Sequence, residues 1–230
     1  MKQDPDFSSI YAAYYRDYDK LNYGTSLSGF FMSQSHKALE KHLNPLDHFA
    51  KVLEVGAGSS QHFKYVKHTY DEYHITDLNE EMLQHISRKM NANGGRKNVI
   101  VSKQDATALN YPDQSFDRFI GTHVLEHLPN PIKVLKEWNR VVRPGGYISI
   151  ILPCDPAWLW RMGRHLGPRK SAKKAGMEEY DYFEAIEHIN SIYSLVTFIR
   201  YYFPNRKESW HPFRLPVPDL NLFYLCTITA

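Results

Sequence analysis

Between residues 51 and 153, short apolar runs alternate with stretches in which apolar residues recur every three or four positions. The short runs have the length and the β-branched and aromatic content of buried strands. Strands that alternate with helices form a parallel sheet with helices on both faces. The pattern therefore predicts an α/β fold with a doubly wound, mostly parallel sheet. The predicted strands are 51–55, 73–76, 98–102, 116–121 and 147–152.

Two of the helices between these strands have recognisable ends. Asn79 is expected to cap the first helix, and the residues at 93–95 are expected to end it. Asn130 is expected to cap the second helix, whose first turn holds Pro131. The Arg-Pro-Gly-Gly sequence at 143–146 then predicts a turn into the fifth strand.

We expect a single domain in which flanking segments cover this core. The segment before the first strand looks helical, and the segment after the fifth strand is expected to be irregular, basic and aromatic. An apolar helix at 191–203 and a final strand at 220–229 are predicted to follow. The expected division is 1–49 for an N-terminal helical lid, 50–153 for the ligand-binding core, 154–189 for a substrate-cap insertion and 190–230 for the last helix and strands.

The composition is that of an ordinary globular protein, with 43% hydrophobic and 23% charged residues. The formal net charge of +3 does not require a nucleic-acid partner, and we expect no DNA binding. Cys154 and Cys226 have no spacing that suggests zinc or a disulfide framework, which favours a reducing compartment. The sequence begins without an apolar signal region, and no apolar run reaches membrane-spanning length, so a cytoplasmic location is expected.

The turn after the first strand carries the chemistry of a nucleotide site. Glycines at 56 and 58 let the backbone approach a ligand closely, and the helix expected after them offers its N-terminal amides. Asp77, at the end of the second strand, can accept hydrogen bonds from both hydroxyls of a ribose. A dinucleotide enzyme has the same parts. Gln61 stands where such an enzyme has its third glycine, which weighs against pyrophosphate binding.

Five motifs in order, at suitable spacing, resemble those of the class I S-adenosylmethionine-dependent methyltransferases, in their small-molecule (type 11-like) branch. The matching segments are Glu54-Val55-Gly56-Ala57-Gly58, Asp77-Leu78, Gln104-Asp105-Ala106, the pair 112–117 and 124–128, and 143–146. The resemblance covers 50–153 and implies a Rossmann-like, seven-stranded sheet that binds S-adenosylmethionine. It departs from the family at Ser60, which replaces the third glycine of E-x-G-x-G-x-G. Serine at a helix start is a suitable cap, so cofactor binding is expected to survive.

The resemblance also assigns roles within the cofactor site. Asp77 is expected to bind the ribose, Asp105 to accept from the adenine amino group and His123 to contact the methionine end through its backbone. Glu54 is expected either to hold the methionine amino group through water or to brace the loop. The full set of expected cofactor residues is Glu54, Gly56, Ala57, Gly58, Asp77, Leu78, Asp105, Ala106 and His123.

The residues at 123–127 also match H-x-x-E-H, an inverted zinc-protease motif. That chemistry needs two histidines on one continuous helix, and Pro129 and Pro131 prevent such a helix here. Ubiquinone-pathway O-methyltransferases, which this segment resembles, have E-x-x-E-H at this position, associated with a divalent metal. His123 replaces the first of those glutamates, and no metal is predicted.

His127 and His188 are the candidate general bases, because an imidazole titrates near neutral pH. For His127, a structural role in bracing the loop is an equal alternative. The segment 122–125 lacks the Asn/Asp-Pro-Pro-Tyr motif of enzymes that methylate amino groups on bases, so nucleobase amines are not expected as acceptors.

The segment 158–174 carries six basic residues and no acidic one. It is either a solvated surface or a site for an anionic partner: a sugar-nucleotide-like small molecule, an anionic membrane surface or, less favoured, RNA. We therefore expect methyl transfer from S-adenosylmethionine to a small-molecule acceptor, with O-methylation preferred. The alternatives are a non-catalytic cofactor-binding scaffold of the same fold and an RNA methyltransferase. The acceptor and the oligomeric state are left open.

Overall fold

The computed structural model of the chain describes Tyr23 and residues 26–92, 98–174 and 176–230. Its centre is a seven-stranded sheet in the order β3-β2-β1-β4-β5-β7-β6. Strands β1 to β5 are parallel, and β7 runs antiparallel to both β5 and β6. The expected doubly wound, mostly parallel sheet is confirmed. The strands are β1 His48–Val55, β2 Thr69–Asp77, β3 Val99–Lys103, β4 Phe116–Thr122, β5 Val142–Pro153, β6 Arg206–Pro212 and β7 Asn221–Thr229.

Helices cover both faces of this sheet. The α-helices are α1 Leu27–Leu39, α2 Glu80–Ala92, α3 Pro131–Val141, α4 Trp158–Leu166, α5 Pro168–Lys174, α6 Tyr180–Glu187 and α7 Ile192–Tyr202. About half of the expected N-terminal lid, residues 1–22 and 24–25, and the expected helix stop at 93–95 lie outside the described residues. Within the described ranges, no helix combines the length and the apolar content that crossing a bilayer would require.

Two capping expectations have opposite outcomes. Asn79 does cap α2, because its Oδ1 accepts from the amides of Glu81 (2.9 Å) and Met82 (3.3 Å). Asn130 precedes α3 in a left-handed conformation (φ 52°), and its side chain makes no capping hydrogen bond to that helix. The expected cap at Asn130 is therefore wrong. Pro131 begins the helix with a backbone angle that is already helical.

The fifth strand begins earlier than expected. The segment 143–146 was expected to be a turn, but β5 already starts at Val142, opposite Phe116, and its pairing with β4 shifts register there. Near this register shift, Gly145 takes a left-handed backbone conformation with a φ of 81°. Gly146 lies so close to β4 that a Cβ atom would be 2.7 Å from the carbonyl oxygen of Asp117. The two glycines therefore allow a bulged strand at this point, not a chain reversal.

The expectation of an irregular segment after β5 is wrong, since α4, α5 and α6 occupy it. No residue of α4 is fully buried, and its inward contact is the half-buried Trp160, which packs on Phe223 of β7. The helix therefore lacks the broad inward apolar face by which core helices are recognised. Strand β6 completes the seven strands that the resemblance implies, but no segment at 206–212 was predicted as a strand. It is an edge strand in which only Trp210 is buried, and its polar sequence resembles that of a loop.

The core has two layers, one on each face of the sheet. Side chains of α3 and α7, among them Trp138 and Ile199, pack on one face against alternate residues of β1, β4 and β5. On the other face, Ile86 of α2 packs under β1 and β2, and Leu39 of α1 packs on β5 and β7. This alternation leaves the carboxyl ends of the parallel strands as the edge where polar residues gather.

A buried ion pair fastens α1 to the sheet. Arg118 of β4 donates from Nη1 to Glu40 Oε2 (3.1 Å), and His62 Nε2 lies 3.0 Å from Glu40 Oε1. All three side chains are buried. Burial alone would raise the pKa of Glu40, but the Arg118 charge and the hydrogen bonds from His62 and Arg118 outweigh it and lower that pKa to about 2. The carboxylate is therefore ionised at neutral pH.

Candidate active site

The loop after β1 lies at the switch point of the sheet, where β1 separates β2 from β4. Gly56 and Gly58 both take positive φ angles, 56° and 53°. A Cβ atom at Gly56 would be 2.5 Å from Cγ2 of Val124, in the segment that follows β4. Because only glycine fits this close approach, the loop brings bare backbone to the edge formed by the ends of β1 and β4.

Asp77 lies beside this loop, as expected. Its Oδ2 accepts from the amide of Gly58 and its Oδ1 from the amide of Asn79, each at 2.8 Å. Burial raises the pKa of Asp77, and these amide hydrogen bonds oppose that rise. Each carboxylate oxygen keeps a further lone pair for a ribose hydroxyl. The next residue, Leu78, leaves 59% of its surface exposed, so an apolar side chain is available next to the carboxylate for a flat ring.

Ser60 does not cap a helix, and that expectation is wrong. A 3₁₀ turn over His62–Tyr65 follows the loop in place of an α-helix, so the N-terminal amides of a long helix are not available here. Ser60 itself is buried in a left-handed conformation (φ 57°), and its hydroxyl has no hydrogen-bond partner among the described residues. A serine in this conformation costs about 1–2 kcal/mol that glycine avoids. Ser60 therefore holds a left-handed backbone position that glycine would occupy without this cost.

Glu54 and His123 place polar atoms at the ends of β1 and β4. Glu54 accepts from the hydroxyl of Tyr73 at 2.6 Å, while its Oε1 is buried with no partner among the described residues. The Nε2 of His123 is likewise buried and unpartnered. Burial, aided by nearby histidine charges, lowers the pKa of His123 to about 3, so the ring is neutral. The two orphaned atoms fit the methionine end of S-adenosylmethionine, which carries an ammonium and a carboxylate.

The backbone of His123 is partly committed to the sheet. Its amide donates to the carbonyl oxygen of Ile151 at 2.9 Å, and its φ is 57°. Of its backbone groups, the carbonyl therefore remains for the expected contact with the methionine end. This left-handed residue, together with the 3₁₀ turn over Leu125–His127, also interrupts any helix through the H-x-x-E-H pattern. The zinc-protease arrangement is absent from this segment.

The turn after β3 is held by Asp105 and Ala106. Oδ1 of Asp105 accepts from the amide and the hydroxyl of Thr107, at 2.8 and 2.7 Å. The carbonyl of Ala106 accepts from the indole nitrogen of Trp138 at 2.9 Å. Asp105 is exposed, and with Oδ1 bracing the turn, its other oxygen is the one left for an adenine amino group.

The two histidines expected to be catalytic come together. Nδ1 of His127 donates to the carbonyl of Glu187 at 2.8 Å, and Nδ1 of His188 lies 2.6 Å from Oδ2 of Asp155. These acceptors hold the Nδ1 protons, so each ring presents the lone pair of its Nε2 when neutral. The ring centroids are 4.9 Å apart. Glu126, between the rings and β4, is buried, and its Oε2 has no partner among the described residues.

The surroundings push the two histidine pKa values apart. Burial lowers the pKa of His127, and the neighbouring charge of His188 adds to that effect. Burial also lowers the pKa of His188. Its hydrogen bond to Asp155 and the charges of Glu126 and Glu184 outweigh the effect of burial and raise that pKa above its ordinary value. His188 is therefore the more basic of the two rings, the one that accepts a proton first.

Two residues of this cluster, Asp155 and Asn190, are not among the residues predicted from the sequence. Asp155 follows β5, and a carboxylate just beyond the carboxyl end of a strand was a signal that could have identified it. Asn190 gave no such signal. Its side-chain amide donates to the carbonyls of Leu125 (3.1 Å) and Leu128 (2.7 Å). Its backbone amide donates to the carbonyl of Glu126 (3.1 Å). Asn190 thereby fastens the histidine segment to the loop after β4.

One oxygen of Glu126 and one ring nitrogen each of His127 and His188 lie within 4.8 Å of one another. Carboxylate and imidazole donors of this kind could hold a divalent cation, and the Nδ1 contacts would orient both rings for it. The sequence expectation that no metal is used stays a prediction.

Comparison with known proteins agrees with this geometry. Residues 53–150 match the family model described as a methyltransferase domain. The chain is 32% identical over 117 residues to 2-methyl-6-phytyl-1,4-hydroquinone methyltransferase 1, chloroplastic, of Oryza sativa subsp. japonica, covering 50% of this chain and 34% of that protein. It is 29% identical over 125 residues to a phosphatidylethanolamine N-methyltransferase of Cereibacter sphaeroides, covering 54% and 57%. The matched segments thus cover between a third and just over half of the length of these relatives.

Solved structures extend the likeness beyond the matched segment. A crystal structure from Thermotoga maritima, described as an S-adenosylmethionine-dependent methyltransferase and possible histamine N-methyltransferase, superposes with a TM-score of 0.62 at 19% identity. The superposition covers 96% of this chain and 98% of that one, so the fold includes β6 and β7. Residues 53–150, which include the switch-point loop held by Asp77, are therefore similar to a methyltransferase domain, and the chain shares the fold of a solved S-adenosylmethionine-dependent methyltransferase.

Proposed function

We propose that the protein transfers the methyl group of S-adenosylmethionine to a small-molecule acceptor. One observation carries the proposal: the glycine loop bonded to Asp77 packs at Gly56 against Val124, three residues before His127, which is paired with His188. A binding module needs the loop alone. Two imidazoles oriented by Asp155 and by a backbone carbonyl supply what a transfer reaction needs in addition, a fixed proton acceptor.

The residues present fit the cofactor. Asp77 would hold the ribose hydroxyls, Leu78 would cover one side of the adenine, and the exposed oxygen of Asp105 would accept from its amino group. The buried, unpartnered atoms of Glu54 and His123 would meet the charged groups of the methionine end. When bound, the cofactor supplies a methyl group on a sulfonium, which is already a good leaving group.

The protein's own task is then to align the acceptor and to remove its proton. His188, which Asp155 orients and whose pKa lies above 6.5, is the base that the geometry favours. A positioned base of this kind contributes about 10²–10⁴ in rate for an acceptor that must lose a proton. A hydroxyl depends on such a base more than an amine does, which supports O-methylation. His127 lies close enough to relay the proton or to position the acceptor.

The relatives suggest the acceptor class. The names of the rice and Cereibacter proteins give a phytyl hydroquinone and phosphatidylethanolamine as substrates. Both molecules join a polar head to a long hydrocarbon chain. We propose an acceptor of the same kind, a polar head linked to a lipid tail. The sequence-based division into lid, core, cap and final strands stays a prediction, with 154–189 as the part that meets this acceptor.

Calorimetry and an activity panel test the proposal in sequence. Calorimetric titration with S-adenosylmethionine and with S-adenosylhomocysteine is expected to show saturable binding of both, and binding of neither would refute the proposal. Transfer of a labelled methyl group is then measured with hydroquinones, phospholipids, sugar nucleotides and RNA as acceptors. Methylation of a lipid-linked hydroxyl is the expected result. Cofactor binding without transfer to any acceptor would favour a non-catalytic scaffold, and transfer to RNA would favour an RNA methyltransferase.

The matched variants His188→Asn and His127→Asn separate the two imidazoles. Loss of turnover by about a hundredfold or more in the first, with cofactor affinity unchanged, is expected if His188 is the base. The second variant should change the apparent affinity for the acceptor more than turnover. The reverse pattern would assign the base role to His127.

A further inference from the structure

Helix α4 presents an apolar stripe to solvent. Trp158, Met162 and Leu166 are spaced four residues apart and therefore lie along one side of the helix. Their exposed fractions are 61%, 38% and 59%. A helix normally turns its apolar side inward, but α4 packs Trp160 on Phe223 of β7 and leaves these three apolar residues outside. The stripe is thus available to a partner.

The connection between β6 and β7 adds a second exposed apolar group next to this helix. Asp219 joins the two, because its Oδ1 accepts from the amide of Trp158 at 2.9 Å and its Oδ2 from the hydroxyl of Tyr193 at 3.0 Å. We call the combined surface the apolar rim; the residues of the connection that belong to it are Phe213, Leu215, Val217 and Leu220. Several adjoining exposed apolar residues on one side of a protein indicate an interaction site.

Positive charge borders the apolar rim. Arg164 and Arg169 are engaged within the protein, Arg164 with Asp155 and Glu184 and Arg169 with Asp181. The remaining exposed cations on α4 and α5 form no ion pair with the described residues; they are Arg161, Lys170 and Lys174. Asp181 pairs with α5 through Arg169, and Lys173 lies 4.0 Å from the same carboxylate. The border of the apolar rim therefore carries unpaired positive charge.

The apolar rim also flanks the histidine cluster. Helix α4 begins three residues after Asp155, whose carboxylate holds His188, and Arg164 of the same helix contacts that carboxylate. A molecule held against α4 is therefore close to the proposed base. A tryptophan and aliphatic residues bordered by cations are the side chains that settle at the headgroup level of a bilayer.

We propose that the apolar rim docks onto a bilayer surface that contains anionic phospholipids, with Trp158, Leu166 and Phe213 entering the headgroup region and Arg161 and Lys170 pairing with phosphates. This rests on the proposed function, since docking there would present a lipid-linked acceptor to the cluster without removing its tail from the membrane. The partner is a lipid surface and not RNA, because three aliphatic side chains dominate the exposed tip between β6 and β7.

The test is vesicle co-sedimentation of the full chain without cofactor or acceptor, so that it does not depend on catalysis. Vesicles of phosphatidylcholine alone are compared with vesicles in which part of it is replaced by phosphatidylglycerol. Binding is expected to be at least tenfold stronger to the anionic vesicles and to weaken as salt is added. Equal binding to both vesicle types, binding to neither, or displacement by a homopolymer RNA that binds more tightly would overturn the proposal.

Matched variants locate the contact. Trp158→Ser combined with Leu166→Ser should weaken vesicle binding about tenfold or more, and Arg161→Gln with Lys170→Gln should weaken it by about fivefold for each charge. The controls are Leu46→Ser and Lys67→Gln. Leu46 is 93% exposed, and both control residues lie just before the amino ends of parallel strands, at the opposite edge of the sheet.

Both controls should leave vesicle binding unchanged, and circular dichroism should show all variants folded. Equal losses in the control and rim variants would overturn the assignment to this surface. Normal vesicle binding by a chain that fails to bind S-adenosylhomocysteine would instead refute the proposed function and leave the docking surface standing.

Discussion

Replacing Asp77 by asparagine tests the cofactor site at its most informative residue. In the structure the two carboxylate oxygens accept from the amides of Gly58 and Asn79, both at 2.8 Å. An asparagine has one oxygen, so it can satisfy one of these amides and must turn its own NH₂ toward the other. Asp77→Asn therefore removes the charge offered to the ribose and also loosens the glycine loop.

The size of the effect follows from these contacts. A hydrogen bond to a charged group contributes about 1.5–3 kcal/mol, and the variant loses that difference toward the ribose. The expected loss of affinity is about ten- to a hundredfold. The released amide bond within the protein should also lower the free energy of unfolding by about 1–3 kcal/mol. Both numbers apply to a protein that remains folded at 25 °C.

Calorimetric titration with S-adenosylhomocysteine measures the first number and urea unfolding the second. Glu80→Gln is the matched control, because Glu80 is exposed at the start of α2 and its charge is paired with Lys103. That control should leave the dissociation constant within about twofold of the original. If folded Asp77→Asn binds within threefold of the original protein, Asp77 does not hold the ribose and the assignment of the loop fails.

Three further changes test other parts of the molecule. Glu40→Gln should lower the free energy of unfolding by about 3–5 kcal/mol in urea, because the buried Arg118 guanidinium loses its counter-charge. Gly56→Ala should abolish calorimetric binding of S-adenosylhomocysteine, because a Cβ atom has no room at this positive φ. Asp155→Asn should move the acidic limb of the pH–rate profile to lower pH, because Asp155 helps to hold the pKa of His188 above its ordinary value.

Each of these expectations has a contradicting result. An unfolding free energy for Glu40→Gln within 1 kcal/mol of the original would mean that the ion pair gives no net stability. Ordinary cofactor affinity in Gly56→Ala would show that the loop moves away from the strand end on binding. A limb that stays in place, or moves to higher pH, in Asp155→Asn would exclude His188 as the titrating base. Gly145→Ala is the control for glycine replacement, since open space surrounds it.

The parallel half of the fold was predictable because its signals are local. Strand β1 is buried over its last four residues and β4 over its first six, and such mostly apolar runs are visible in the sequence without knowledge of their neighbours. The candidate cofactor residues were proposed from their position at strand ends. Asp77 illustrates this, since it was expected at the end of β2, and its role in binding the ribose stays a prediction.

The remaining features depend on contacts between distant residues or on outward-facing patterns. Arg118 and Glu40 pair across 78 positions of the chain, and neither residue has a local signature. Helix α4 was missed because its apolar side faces solvent, and β6 was missed because an edge strand can be polar. Ser60 was read as a cap because serine prefers that role, whereas the loop requires a left-handed residue there. In each case the tertiary structure outweighs the local preference.

The strand order has a consequence for how the chain must avoid aggregation. Strand β5 is apolar and lies inside the sheet, between β4 and β7. Its edge is covered by β7, and paired residues such as Tyr147 and Thr229 are about eighty positions apart in the chain. Until β7 is synthesised, the β5 edge with Ile148 and Ile150 is an open template for another chain. We expect chains that stop before residue 221 to self-associate during synthesis, and co-expression of a peptide spanning β7 to reduce that self-association.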